Sequence, residues 1–372
     1  MEYLMMLSLI LLSLFTYISL TNILFGPYLR SRVQLSHTPF VSIMIPARNE
    51  EANIARCLDS LLQQNYDKYE ILVLDDNSED RTGQIILHYV RKHTHIRYLE
   101  GMPLPEGWLG KNWACWQLSK HAGGEILIFV DADTWHANSA ILATISWIEK
   151  YSLGLFSAFP QQILKTVPEK LVVPIIDIIL YTLLPLWTTY AFKSPSLAAA
   201  NGQWLAMTRD AYRKIGGHER VKDNVVEDVE LARLAKTFKF KTIASAGTGM
   251  VFCRMYDSFN AIWRGLTKNL YGLTGKNVLV LFALLSIMIL VYIVPYILLI
   301  LGSNYPLIIT ILAILLVMRA MLAMAYRHPF IISVMFIPVT MIIGIIIAIN
   351  SFFQSNWGSI TWKDRKINLK NS

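Results

Sequence analysis

With 372 residues, 54% of them hydrophobic and only 16% charged, the chain is too apolar to be soluble throughout. An ordinary globular domain carries about a quarter charged residues. The formal net charge of +8 suits anionic lipid headgroups better than nucleic acid, because the basic residues are scattered or flank apolar segments; no nucleic-acid partner is expected.

No charge occurs between Tyr3 and Leu29, and roughly 20 apolar residues span a bilayer. This segment lacks a basic n-region and a small-residue cleavage site, and Arg30 and Arg32 follow it. It reads as an uncleaved anchor over residues 1–29 that leaves the next domain, residues 30–277, in the cytoplasm. Cys57, Cys115 and Cys253 lie far apart without metal-ligand spacing, which suits a reducing compartment.

Val41-Ser-Ile-Met-Ile45 predicts a strand stopped by Pro46. Ile54, Leu58, Leu61 and Leu62 then fall on one helical face. Glu70-Ile-Leu-Val-Leu74 predicts a second strand, ending in Asp75 and Asp76, before a helix over about 82–91 and a strand at 96–99. Ile126-Leu-Ile-Phe-Val130 is apolar throughout, as a strand buried on both faces would be, and runs into Asp131-Ala-Asp133. Strands alternating with helices give an α/β domain with a helix-wound parallel sheet. A Gly-x-Gly-x-x-Gly fingerprint and a Walker-type lysine loop are both missing from the sequence.

Asp-x-Asp alone often marks a loop or cap. Here two strands deliver acids to one sheet edge, where open α/β sheets keep their ligand crevice. Alternate residues leaving a strand can reach one ion, and carboxylates suit Mg²⁺ or Mn²⁺. A nucleotide arriving with its metal fits such an edge.

Ile45-Pro-Ala-Arg-Asn-Glu-Glu51, Leu74-Asp-Asp-Asn-Ser-Glu-Asp80 and Phe129-Val-Asp-Ala-Asp133, in this order, resemble the opening of family 2 glycosyltransferases. That resemblance covers about residues 40–270. It implies a Rossmann-like nucleotide-sugar-binding domain of GT-A type, an inverting reaction and a UDP-sugar donor. It also implies that Asp76 contacts the uracil and that Pro46, Glu50 and Asp75 belong to the nucleotide pocket. Asp131 would sit near the ribose and beside the metal, and Asp133 would ligate it. Capping of the turn or helix near Thr82 remains open for Asp75 and Asp76. Lys111 stands where the family carries a basic residue close to the donor, and a lysine there can neutralise phosphate. Trp108 and Trp113 suit either a sugar platform or packing.

The apolar run 171–192 contains Asp177, Pro174 and Pro185, so an interfacial helix is expected rather than a span. Residues 200–207, with Asn201 and Gly202 at the start, predict a strand bordering the acceptor; His218 follows a glycine turn and reads as structural. Val226-Glu-Asp-Val-Glu230 opens a helix and resembles the family's Glu-Asp motif, which implies Asp228 as catalytic base and Glu227 as its positioning partner. Capping is the ordinary alternative. Downstream, Asn260-Ala-Ile-Trp-Arg264 departs from the Gln-x-x-Arg-Trp of processive synthases, which disfavours polysaccharide synthesis. Arg254, Trp263 and Arg264, with neighbouring steps, are more similar to the carotenoid- and hopanoid-associated branch. That similarity implies a lipid acceptor, a carotenoid or related isoprenoid hydroxyl or carboxylate, and association with other lipid-pathway enzymes is expected. Arg254, Arg264 or Lys268 could offset diphosphate charge, with Trp263 beside them at the donor; lipid-headgroup contact just before the first C-terminal span is the competing reading.

Three C-terminal spans are expected, at about 278–302, 305–325 and 330–353, with a basic tail at 354–372 and a multi-pass plasma-membrane location. Three crossings would place Trp362-Lys-Asp-Arg-Lys366 outside, against the charge bias. Re-entry of the last segment at Pro338 and Gly344 would return the tail to the cytoplasm. Arg319 is the single ionisable residue in the expected spans, which weakens a lipid-transporter reading. Ceramide, diacylglycerol, polyprenyl phosphate or a short polysaccharide as acceptor, and a nucleotide-binding regulator, are the remaining alternatives.

Overall fold

The computed structural model describes residues 2–30, 35–302, 304–357, 360–362 and 365–367. Arg32, Lys363, Asp364 and residues 368–372, which bear on the orientation, lie outside the described residues. The chain opens with α1 (Glu2–Phe25), β1 (Val41–Ala47), α2 (Ile54–Leu62), β2 (Tyr69–Asp75), α3 (Thr82–Lys92) and β3 (Ile96–Glu100). It continues through α4 (Gly110–His121), β4 (Ile126–Val130), β5 (Thr134–His136), α5 (Ala140–Tyr151) and β6 (Leu153–Gln162). Short helices α6 (Val167–Val172), α7 (Ile175–Leu183) and α8 (Thr188–Ala191) precede β7 (Trp204–Thr208), α9 (Arg209–Ile215), α10 (Glu227–Thr237) and β8 (Lys241–Cys253). Then come α11 (Phe259–Leu273), α12 (Val278–Tyr292), α13 (Val294–Ile300), α14 (Tyr305–Ala325), α15 (Phe330–Met335) and α16 (Ile337–Trp357).

Two compact units result. One comprises residues 27–161 and 186–254 and carries an eight-stranded sheet in the order β3-β2-β1-β4-β7-β6-β8-β5. The first four strands pair in parallel. β7 then runs antiparallel to β4 and β6, and β5 antiparallel to β8. The sheet is therefore mixed, not parallel throughout as the sequence suggested. The strand–helix alternation that dictates parallel pairing holds only as far as β4. Side chains alternate faces along each strand. Ile43, Ile71 and Ile128 pack with Ile54 and Leu58 of α2 on one face, and Met44, Leu72, Leu127 and Phe129 pack with Leu118 of α4 and Leu231 of α10 on the other. Burial on both faces explains the unbroken apolar run of β4.

Pro46 does not end β1, which continues to Ala47 with Pro46 opposite Leu74 of β2. The pairing of β1 to β4 stops at Met44, so Pro46 sits where that side of the strand needs no amide donor.

The other unit, residues 1–26, 162–185 and 255–371, is helical. Among the described residues α1, α14 and α16 are each long and apolar enough to cross a membrane, and α11 meets α12 at a bend of 115°. The single span expected at 278–302 is instead α12 and α13, interrupted at Ile293 ahead of Pro295, because proline removes a helical hydrogen bond. The span expected at 330–353 likewise divides into α15 and α16. Run 171–192 holds the end of α6 and the whole of α7 and α8 rather than one helix, with Pro174 as the cap of α7 and Pro185 beyond its end. Asn22 of α1 donates to the carbonyls of Tyr181 (3.0 Å) and Leu184 (2.9 Å), satisfying the end of α7. Gly344 lies inside an unbroken α16, where an added Cβ would run into the Ile175 side chain; its small size admits α7.

Candidate active site

The site grows from three chain ends in the α/β unit. β4 stops at Val130, and the amide and hydroxyl of Thr134 both donate to the Asp131 carbonyl, at 3.1 and 2.7 Å. This turn projects residues 131–133 from the carboxyl end of the sheet. The second contributor is the start of α4. There Asn112, buried, donates from Nδ2 to the carbonyls of Val221 (2.8 Å), Lys222 (3.2 Å) and Asn224 (2.9 Å). That side chain ties α4 to the loop leading into α10, the third contributor. Glu227, Asp228 and Glu230 lie in the first turn of α10, where backbone N–H groups and the helix dipole favour acids.

Lys111 consequently bridges Asp131 and Glu227, its Nζ standing 2.8 Å from one carboxylate and 3.1 Å from the other. Asp228 is held next to them by the Gly202 amide (2.7 Å) and its neighbour's amide at Val229 (2.8 Å). Gly202 lies among all three: a Cβ on it would come within 2.9 Å of Lys111 Nζ, 3.4 Å of Glu227 Oε1 and 3.6 Å of Asp228 Oδ2.

Burial first, then the Glu227 charge, pushes the Asp228 carboxyl up to about 7, against Lys111 and the two amides that pull it down. Burial alone would lower the Lys111 pKa, but Asp131 and Glu227 together hold it well above the ordinary lysine value. His218 is driven down to about 3 by burial and by Lys111. Its neutral ring, with Nδ1 2.8 Å from the Tyr212 hydroxyl, is part of the buried structure.

Asp133 acts electrostatically on the buried thiols of Cys57 and Cys253, as does Asp131, so the two acids share one neighbourhood. The β5–β8 register ends at Thr134 opposite Cys253, which leaves Asp133 and Arg254 each one step beyond it. The upstream motifs form an adjoining pair of loops. Asp76 is buried and its amide donates to Ala47 (2.8 Å), while Arg48 holds the carbonyls of Asp76 (2.7 Å) and Asn77 (2.9 Å). The Glu50 carboxylate accepts from Asn53 (2.9 Å) and its amide donates to Thr82 (2.7 Å). Asp75 accepts from the Ser78 amide at 3.0 Å and bonds Tyr98; its carboxylate serves its own turn. Trp263 and Arg264 stand on α11 in the helical unit, with Trp263 against Phe259.

The structure thus brings Lys111, Asp131, Glu227 and Asp228 into contact, with Asp133 beside Asp131. Asn112 and the central position of Gly202 are what sequence reading missed.

Among the described residues no three His, Cys, Asp or Glu side chains assemble into a self-sufficient metal site. One or two hard carboxylates at a strand end fit an ion that takes its other ligands from a substrate diphosphate, the usual mode for Mg²⁺. Asp133 and Asp131 fit that arrangement.

This mixed sheet with acids at its carboxyl edge is the GT-A glycosyltransferase fold. A mannosyltransferase from Pyrobaculum calidifontis, solved with GDP-Man and Mn²⁺, shares it with a TM-score of 0.59 over 95% of this chain and 99% of its own, at 18% identity. Residues 42–207 match the family model for glycosyl transferase family 2. A 4,4'-diaponeurosporenoate glycosyltransferase of Staphylococcus haemolyticus is 30% identical over 240 residues, 63% of this chain and 61% of the relative. The Staphylococcus aureus (strain USA300) protein of the same name is 27% identical over 240 residues, 62% and 60% of the two chains. The chain thus spans about three fifths of the length of these relatives.

Proposed function

We propose that this protein is a membrane-anchored, inverting, metal-dependent glycosyltransferase that moves a hexose from a UDP-sugar to a lipid acceptor. The observation carrying this reading is the contact cluster of Lys111, Asp131, Glu227 and Asp228 around Gly202, at the sheet edge where nucleotides bind.

In a single displacement Asp228 removes the acceptor proton as the hydroxyl attacks the anomeric carbon. Glu227 holds Lys111, and Lys111 offsets negative charge on the departing nucleoside diphosphate. Asp76, with Pro46 and Glu50 nearby, receives the base, and Asp131 the ribose side. Asp133, with Asp131, would hold the Mg²⁺ or Mn²⁺, which supplies positive charge to the diphosphate. Arg254, Trp263 and Arg264 are assigned to the donor as well, with Asp75 acting through its loop.

The relatives' name points to an isoprenoid acid, which favours a carotenoid-type carboxylate or hydroxyl acceptor. A carboxylate acceptor needs no proton removed, so Asp228 would then position rather than deprotonate. Three membrane-length helices support a multi-pass membrane protein, with the α/β unit placed on the cytoplasmic face of the plasma membrane.

The test is transfer by the detergent-purified full chain from UDP-hexose to lipid extracts of its host, read by mass. One hexose added to an isoprenoid lipid supports the reading, and no UDP-sugar turnover with any extract refutes it. Appreciable residual rate in Asp228→Asn identifies a carboxylate acceptor; near-complete loss identifies a hydroxyl.

A further inference from the structure

The helical unit contains an ionisable cluster for which sugar transfer has no use. Arg319, in the second half of α14, is 1% exposed on an otherwise apolar helix. Its Nε donates to the Ser333 carbonyl of α15 at 3.2 Å. Among the described residues its buried Nη1 has no hydrogen-bond partner, and neither have the buried Ser333 Oγ and His328 Nδ1. His328 Nε2 lies 2.8 Å from Asp177 of α7, both side chains being buried. The Arg319 charge is felt by Asp177 and Tyr292, yet among the described residues no carboxylate stands within ion-pair distance of it.

A guanidinium with orphaned donors in apolar surroundings is costly. Ionisable groups inside spans mark ligand or ion sites by default. Arg319 lies six residues before the end of α14 at Ala325, roughly 9 Å at 1.5 Å per residue. Its bond to Ser333 ties it to α15, the short helix that follows the end of α14. A planar cation with unpartnered N–H groups complements an oxyanion.

We propose that Arg319, flanked by Ser333 and His328, binds the oxyanion of an acidic membrane lipid, a phosphodiester or carboxylate at the end of a long apolar chain. The site is independent of the transfer reading, and its test reads lipid retention instead of turnover.

The full chain in mild detergent is offered phosphatidylglycerol, oleate, diacylglycerol or inorganic phosphate, and is followed by native mass spectrometry and melting temperature. Retention of an acidic lipid with a melting shift of several degrees is expected for phosphatidylglycerol, oleate or both, which tells phosphodiester from carboxylate. Diacylglycerol and inorganic phosphate should give neither. Arg319→Met should lose the retained lipid, and Arg319→Lys should keep part of it. The proposal is overturned if wild type retains no acidic lipid, if diacylglycerol or inorganic phosphate reproduces the shift, or if Arg319→Met binds as wild type does. Should Arg319→Met fail to fold, Ser333→Ala is the deciding variant: several-fold weaker lipid retention supports the site, and unchanged retention overturns it.

Discussion

If Asp228 is the proposed base, its ionisation, not merely its presence, sets how much base exists at neutral pH. Its pKa, raised from 3.8 to about 7, means that the folded state favours the protonated form. Ionising it therefore weakens the fold as pH climbs between those two values, over the same interval in which the base becomes available. kcat/KM for the donor, which reports the free enzyme, should rise with pH through a midpoint near 7. For a hydroxyl acceptor Asp228→Asn should flatten that limb and lower kcat by about 10²–10⁴; a wild-type profile already flat across neutrality would contradict the base assignment. Gly202→Ala makes a different prediction. Its closest obstacle is the flexible tip of Lys111 at 2.9 Å, so the fold should survive with little change in melting temperature. The ion pairs to Asp131 and Glu227 should not, and turnover should fall at least about tenfold, the effect of roughly 1.4 kcal/mol at the transition state. The acids and Lys111 were legible because each follows a strand or opens a helix within a recognisable motif. Gly202 and Asn112 were not, since their importance lies in contacts with remote segments that periodicity does not encode.

At the scale of elements, the join between α4 and the loop before α10 is made by the Asn112 side chain together with the Leu109 amide, which donates to the Lys222 carbonyl at 2.8 Å. Removing that side chain in Asn112→Ala takes one donor from each of three carbonyls; Val221 and Lys222 keep the amides of Asn224 and Leu109, so the loss falls mainly on Asn224, at a cost of about 1–3 kcal/mol. Melting temperature and turnover should drop together, because Lys111 and Glu227 lose their common support. Unchanged melting would show the loop is held otherwise. In the helical unit Gly344→Val would drive a side chain into Ile175, and overpacking of this kind costs about 1–3 kcal/mol; thermal unfolding in detergent checks it. Buried strands β1, β2 and β4 were readable from apolar runs ending in acids. The antiparallel return of β7 was not, since strand direction follows from connections that run through short helices. Proline was read too strongly at Pro46, where a missing amide has no partner to lose, and too weakly at Pro295, where it divides a helix.

For the molecule as a whole, the proposed reaction and the architecture should respond to different ions. Chelation should abolish transfer and Mn²⁺ or Mg²⁺ should restore it, while Asp133→Ala should be inactive whichever ion is added; full activity in that variant would remove the metal assignment. Folding should be indifferent to the same treatment. Structural zinc sites need their ion to fold, but here Lys111 already supplies positive charge to Asp131 and Glu227. The melting curve of the α/β unit should be superimposable with and without chelator. On the proposed reading, a site wired with its own resident ammonium should tolerate being emptied of divalent cation and refilled, losing turnover each time and conformation never.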